Sequence, residues 1–316
     1  MYILGVESTA HTFGVGIVDH KGNVVANDKD SYTSPDVGMI PDQVAEHHKT
    51  VAQTILKQAF TQAKLSWKDI SLIAYSAGPG LDPALWTGYH IVKAWSQEHK
   101  KPIVGVNHCC AHLSIGKVYN KLKDPIYLYV SGVNTQIIIQ ESGKYHVLGE
   151  TLDIGLGNML DKFGRIAGLG FPAGPKIEQL SKQGKFIELP YIVKGMDVSF
   201  SGILTKIQQL YEQKKATTQD LCHSVQEICF AMCTEVVERG MANTNKKELL
   251  LVGGVGANQR FCEMLSVMCK ERGAKFYKVP LDLAGDQGAM IAWEGYLRRK
   301  THGDEEVKPH WRADEV

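Results

Sequence analysis

Apolar runs of strand length, broken by small and polar residues, alternate along this chain with stretches whose apolar positions recur every three to four residues. Tyr2 to Glu7, Phe13 to Val18 and Asn23 to Asp28 read as three consecutive strands. Pro41 and Asp42 open an amphipathic helix to about Ala63, and a buried strand over Ile70 to Ala77 is broken by Gly78-Pro79-Gly80. A helix over about Pro83 to Glu98, a strand from Pro102 to Val106 and a second helix complete this set.

The order then recurs. Strands over Ile126 to Ser131, Thr135 to Glu141 and Lys144 to Glu150 precede helices near Leu156–Ala167, Pro175–Lys182, Ser201–Glu212 and Thr218–Asn243. A strand at Leu249 to Val252, a helix from Ala257 to Arg272, a strand at Lys275 to Val279 and a helix from Gly285 to Arg299 close it. The expectation is an α/β chain of two βββαβαβα lobes, residues 1–124 and 125–316. The second lobe carries a helical insertion over about 151–243, and a polar tail after Thr301 lies over the surface.

Composition narrows the class. The chain has 316 residues, 44% hydrophobic and 22% charged, with a formal net charge of +1, so a nucleic-acid partner would need a local basic patch. Arg298-Arg299-Lys300 with Lys308, His310 and Arg312 is the candidate. The start lacks a basic leader, and no run reaches about 18 uninterrupted apolar residues, so a soluble cytoplasmic protein with no membrane partner is expected. Seven cysteines, an odd number and scattered, read as reduced core thiols.

The candidate chemistry centres on Asn107-His108-Cys109-Cys110-Ala111-His112, after the strand ending at Val106. Histidines four apart share one helix face, and both imidazoles can reach one ion at roughly 2.0–2.1 Å. A capping His108 and a half-buried His112 would use the same spacing. Glu46-His47-His48 offers a second, weaker site, since adjacent residues face different ways; a solvated face is the alternative. Asp286 opens the last helix, either as its N-cap or as an oxygen ligand brought from the second lobe, and Tyr129 could add a phenolate. The turns at Glu7-Ser8-Thr9-Ala10, at Tyr129-Val130-Ser131-Gly132-Val133 and at Gly253-Gly254-Val255-Gly256 suit a nucleotide-type ligand. None matches a Walker or a Rossmann fingerprint.

Taken together, these stretches resemble the tRNA N6-adenosine threonylcarbamoyltransferase family in its archaeal/eukaryotic form. The match runs through 5–12, Val104 to His108 with Ala111-His112, 129–132, Phe171 to Pro175, and Gly195 to Gly202 with its Asp-Val-Ser-Phe-Ser-Gly string. It continues through 253–255, Asp286 to Ala292 and Trp311 to Val316. The resemblance implies the actin/hexokinase/Hsp70-type (ASKHA) fold and transfer of threonylcarbamoyl from threonylcarbamoyl-AMP to N6 of the adenosine 3′ of the anticodon. It implies one Fe2+ or Zn2+ per chain, held by His108, His112, Tyr129 and Asp286, with ATP or ADP as possible occupants of the same cleft. Tyr129, Val130, Ser131, Gly132, Val133, Asp161, Gly174, Glu178 and Asn258 are the implied substrate contacts. Glu7 is the candidate for positioning or deprotonating the incoming amine. Implied partners are tRNA and the KEOPS subunits, among them a small protein kinase/ATPase and a dimerising subunit. No kinase-like extension follows, as expected of the stand-alone subunit.

Several positions depart from the family pattern. Val133 and Ala173 stand at usual glycines, Asp82 and Trp86 replace a glycine and an arginine, and Gly38 to Gln43 lacks basic character. Rival functions are a small-molecule kinase on the same fold, which would not need the histidine pair, and a non-catalytic scaffold. The missing Glu of His-Glu-x-x-His argues against a metalloprotease.

Overall fold

A computed structural model describes residues 1–33 and 40–316, so the expectation at Gly38 and Met39 lies outside the described residues. The chain divides into two compact units: residues 1–119 with 285–316, and residues 120–284.

In the first unit β1 (Tyr2–Glu7) lies mid-sheet, antiparallel to β2 (Thr12–Asp19), which pairs with β3 (Val24–Ser31). Helix α1 (Pro41–Ala63) starts with proline at its first position, where no N–H is needed, and ends at Lys64 in the left-handed region. Then come β4 (Ile70–Gly78), α2 (Asp82–His99), β5 (Ile103–Asn107) and α3 (His108–Tyr119). The sheet order is β3-β2-β1-β4-β5, with β4 and β5 parallel to β1. Helices α1 and α2 pack one face around Val6, Ile55, Leu56 and Val92.

The second unit repeats this plan. Strands β6 (Ile126–Val130), β7 (Thr135–Glu141) and β8 (Lys144–Glu150) form the antiparallel half. Between β8 and the next sheet strand lie α4 (Leu156–Ile166), α5 (Gly174–Ser181), the short pair β9 (Val193–Lys194) and β10 (Asp197–Val198), α6 (Ser201–Glu212) and α7 (Thr218–Thr244). That is the expected insertion, with one two-stranded ribbon that hydropathy did not announce. β11 (Glu248–Val252), a 3-10 turn over Gly254–Ala257, α8 (Gln259–Glu271), β12 (Lys275–Lys278) and the short α9 (Leu281–Ala284) complete the unit. Its sheet order, β12-β11-β6-β7-β8, is that of the first with each strand replaced by its counterpart.

The division differs from the expected one in two respects: the first boundary falls after residue 119 rather than 124, and the chain returns to the first unit at its end. The last helix, α10 (Gly288–Arg298), and the tail belong to the first unit, so the second lobe does not run to 316. The cause is a bald spot on the first sheet. Gly5 and Gly16 are cross-strand partners, and a Cβ on either would collide with the backbone of α10 at Gly288, Ala289 or Ala292. Helix backbone therefore rests directly on strand backbone, and Ile3, Ala74, Val104, Ala111, Ile115, Met290 and Ile291 close over the joint. Each buried isoleucine, valine or methionine side chain among these contributes roughly 1.5–3 kcal/mol.

The tail is not a loose surface segment either. Trp311 and Ala313 are buried, and Lys308 N donates to Ala77 O at 2.7 Å. All seven cysteines are free thiols, and all but Cys262 are buried. No helix among the described residues is long and apolar enough to cross a membrane.

Candidate metal centre and substrate turns

Helix α3 is buried over its first nine residues, His108 to Gly116, as a helix with little polar surface must be. Asn107 precedes it, and its Oδ1 accepts from Cys110 N at 3.1 Å, satisfying one of the free donors of the first turn. His108 and His112 thus project from one fixed face, their rings 4.7 Å apart and nearly perpendicular.

Asp286 faces both. Its Oδ1 lies 3.5 Å from His108 Nε2 and 3.3 Å from His112 Nε2, and one ligand atom from each residue falls within 4.8 Å of the others. All three belong to the first unit, so Asp286 does not come from the second lobe. Nor is it the cap of α10: Gln287 fills that role, its side chain accepting from Met290 N at 3.0 Å. Asp286 is thereby left to the histidines, its backbone carbonyl accepting from Lys29 Nζ at 3.0 Å.

Behind His108 stands Glu7, fully buried, with Oε2 2.9 Å from His108 Nδ1. Its Oε1 accepts from Thr9 N at 2.7 Å and from the Thr9 hydroxyl at 2.5 Å. A carboxylate on Nδ1 keeps a proton there and leaves Nε2 as the ring atom turned towards Asp286. Burial pulls the His108 pKa down, but the charges of Glu7 and Asp286 outweigh it and hold it up at about 9. For His112 burial wins and the pKa is lowered. Asp286 is held well below the usual carboxylate range: burial opposes ionisation, and the charge of His108 with the His112 hydrogen bond overcomes it.

Two nitrogens and a carboxylate oxygen converging on one point, one imidazole backed by a second carboxylate, is a donor set that fits a divalent transition metal. Ser8 Oγ and Gln287 Nε2, next in sequence to Glu7 and Asp286, are buried polar atoms with no hydrogen-bond partner among the described residues. Neither Cys109 nor Cys110 joins the cluster; Cys110 Sγ donates to Ala313 O at 3.7 Å. The weaker alternative at Glu46-His47-His48 does not form a metal cluster among the described residues, and the solvated face read there holds only in part. His48 is buried against Phe13, not solvated, and His47 Nε2 lies 2.7 Å from Asp30.

The remaining expected residues lie in the second unit. Tyr129 is buried at the end of β6, in register with Gln136 and Val252. Val130 follows it into a turn closed by Ser131 N to Asn134 O (2.8 Å) and Asn134 N to Ser131 Oγ (3.0 Å). The carbonyls of Ser131 and Gly132 accept from Gly157 N and Asn158 N, so the start of α4 seats on this turn. Val133 is 70% exposed, and its φ is not positive. Gly253 has φ of 94°, and a Cβ there would strike Val130 O, which requires glycine.

Asp161 Oδ1 accepts from Ala173 N at 2.8 Å, and burial raises its pKa. Gly174 begins α5, and a Cβ there would meet nothing within 4 Å, so packing does not demand this glycine. Glu178 Oε1 accepts from Gln259 N at 2.8 Å. Asn258, expected inside a helix from Ala257, is the N-cap of α8 and donates to Gln226 Oε1 at 2.6 Å. The structure thus joins Glu178 to the Asn258 cap, Asp161 to the Ala173-Gly174 step, and Val130 to Gly253.

Sequence reasoning missed two supporting residues. Asp153 accepts from Ser199 Oγ, Phe200 N and Ser201 N, anchoring the Asp-Val-Ser-Phe-Ser-Gly string, and carries no local signal. Asn107 was legible as an asparagine between strand and helix. Four residues of the expected basic patch are engaged internally: Arg298 with Glu294, Arg299 over Tyr296 at 3.9 Å, Lys308 with Glu305, Arg312 with Asp314; Lys300 and His310 are exposed.

Residues 21–293 match the model of the family described as tRNA N6-adenosine threonylcarbamoyltransferase. A protein of that name from Thermococcus kodakarensis is 50% identical, aligned over 100% of this chain and 98% of its own. A "probable bifunctional tRNA threonylcarbamoyladenosine biosynthesis protein" from Methanocaldococcus jannaschii is 46% identical over 100% of this chain and 60% of its own. Among solved structures, the HypF protein of T. kodakarensis superposes with a TM-score of 0.63 at 15% identity, over 96% of this chain and 48% of that one, a likeness of fold alone.

Proposed function

The chain belongs to the tRNA N6-adenosine threonylcarbamoyltransferase family, and from that premise we propose how its site carries out the transfer. The enzyme is a transferase acting on tRNA, forming N6-threonylcarbamoyladenosine, on an ASKHA-type α/β fold. The observation that carries the reading is the convergence of His108, His112 and Asp286, with Glu7 behind His108.

In this reading His108, His112 and Asp286 hold one Fe2+ or Zn2+ per chain, with Tyr129 as a further ligand. When bound there, the metal would supply Lewis acidity to carbamoyl or phosphate oxygens. Glu7 acts as a positioning group, since all its hydrogen bonds are spent on Thr9 and His108. The donor is threonylcarbamoyl-AMP; N6 of the tRNA adenosine attacks its carbamoyl carbon, the acyl–phosphate bond breaks and AMP leaves. The turn 129–133, Gly174 and the Glu178–Asn258 pair receive the adenylate, and ATP or ADP would occupy the same place. The open space at Gly174 supports this.

The KEOPS subunits, including the small kinase/ATPase and the dimerising subunit, remain the proposed partners. The name of the bifunctional relative, spanned over 60% of its length, supports a second activity working beside this one. Incubation of the chain, with those subunits, with tRNA and threonylcarbamoyl-AMP, followed by nucleoside analysis, tests the reaction. Threonylcarbamoyladenosine should appear, and its absence with all components present would contradict the reading.

A further inference from the structure

Residues 303–316 are knitted along the first unit as a strap. Gly105 N donates to Gly303 O at 2.8 Å, and the Tyr75 hydroxyl donates to Glu305 O. Lys93 pairs with Asp304, and Gly80 N donates to Pro309 O at 3.1 Å. Trp311, 6% exposed, enters the core shared with α1 and α2, and Lys308 Nζ lies 4.4 Å over its ring. The strap then passes the start of α3.

Asn107 is where strap and helix meet. It is 1% exposed, and its side chain is used at both ends. Nδ2 donates to Trp311 O at 3.0 Å and to Arg312 O at 3.2 Å, while Oδ1 accepts from Cys110 N at 3.1 Å. The residue next to it is His108. One amide therefore ties the height of the strap to the first turn of the helix that presents the histidine pair. A cap alone needs only the oxygen, and serine supplies one as well as asparagine does. The donor half of the amide faces the strap and serves no helix.

We propose that residues 303–316 position His108 and His112 through Asn107, so that the strap sets the metal affinity of the site. Asn107 acts as a positioning residue and touches neither metal nor substrate. The inference rests on the reading of His108, His112 and Asp286 as metal ligands.

The test is a Co2+ titration of the full-length chain, read by the visible ligand-field band and its dissociation constant. It compares the wild type with Asn107→Ala, Asn107→Ser and His112→Ala. Both Asn107 variants should bind about tenfold more weakly with an altered band, the loss seen for groups that orient metal ligands. Serine should not rescue, because it caps the helix without reaching the strap. Recovery of wild-type affinity and band by Asn107→Ser would overturn the proposal, leaving a helix cap only. So would unchanged affinity in Asn107→Ala. If the wild type and His112→Ala bind alike, the metal reading itself fails and this inference falls with it. A chain lacking 311–316 should match Asn107→Ser if it stays folded; if it unfolds, the serine–alanine comparison still decides.

Discussion

Glu7 Oε2 and His108 Nδ1 lie 2.9 Å apart in a buried pair, and the other carboxylate oxygen is taken by Thr9. This pairing makes Glu7 the orienter of a ligand. Glu7→Gln should weaken metal binding about 10–100-fold, measured by competition with a chelator. A slow transfer reaction with full metal affinity would instead make Glu7 the base for the incoming amine.

His48 gives a pH signature away from the metal. Burial, with the neighbouring charge of His47, lowers its pKa from 6.5 to about 4, against weaker upward pulls from Ala10 and Glu7. Between those values the unfolded chain binds the proton and the folded chain does not, so stability falls as pH falls. The loss amounts to about 3 kcal/mol, complete near pH 4. Urea unfolding from pH 7 to 4 should be less pH-dependent in His48→Gln than in the wild type. Parallel curves would remove His48 as the cause.

Gly5→Ala should cost about 3 kcal/mol or more, because its new Cβ meets backbone, which cannot rotate aside. Gly174→Ala, where a Cβ meets nothing within 4 Å, should stay within about 0.5 kcal/mol of the wild type. Equal urea midpoints for the two would contradict the close seating of α10.

These glycines also explain what was and was not legible in the sequence. Strand runs, helix periods and the i, i+4 histidine pair are local patterns, and the duplicated order follows from them. The home of α10 was hidden because a Gly5–Gly16 pair seating a helix backbone is a long-range fit with no hydropathy signal. For that reason the sequence pattern points to Asp286 as a second-lobe residue and helix cap, whereas it belongs to the first unit and Gln287 does the capping. The tail reads as surface because most of its anchors are backbone groups, which leave no mark in the sequence, and its large buried side chain is a single tryptophan.

Val133 carries a fourth prediction. Its φ is not positive and its side chain is exposed, so the turn stays in ordinary backbone territory. In Val133→Gly a closer backbone approach becomes available, and adenylate binding should tighten while stability drops by no more than about 1 kcal/mol. Weaker adenylate binding in calorimetry would mean that Val133 packs against the substrate.

The central claim is that His108, His112 and Asp286 hold the metal on which transfer depends. Elemental analysis of protein purified without chelator, for the wild type and for His112→Ala and Asp286→Ala, tests it most directly. The account predicts about one iron or zinc per wild-type chain, given one three-residue cluster of ligand atoms, and its loss from both folded variants. Full metal in both variants, or none in the wild type, would contradict it.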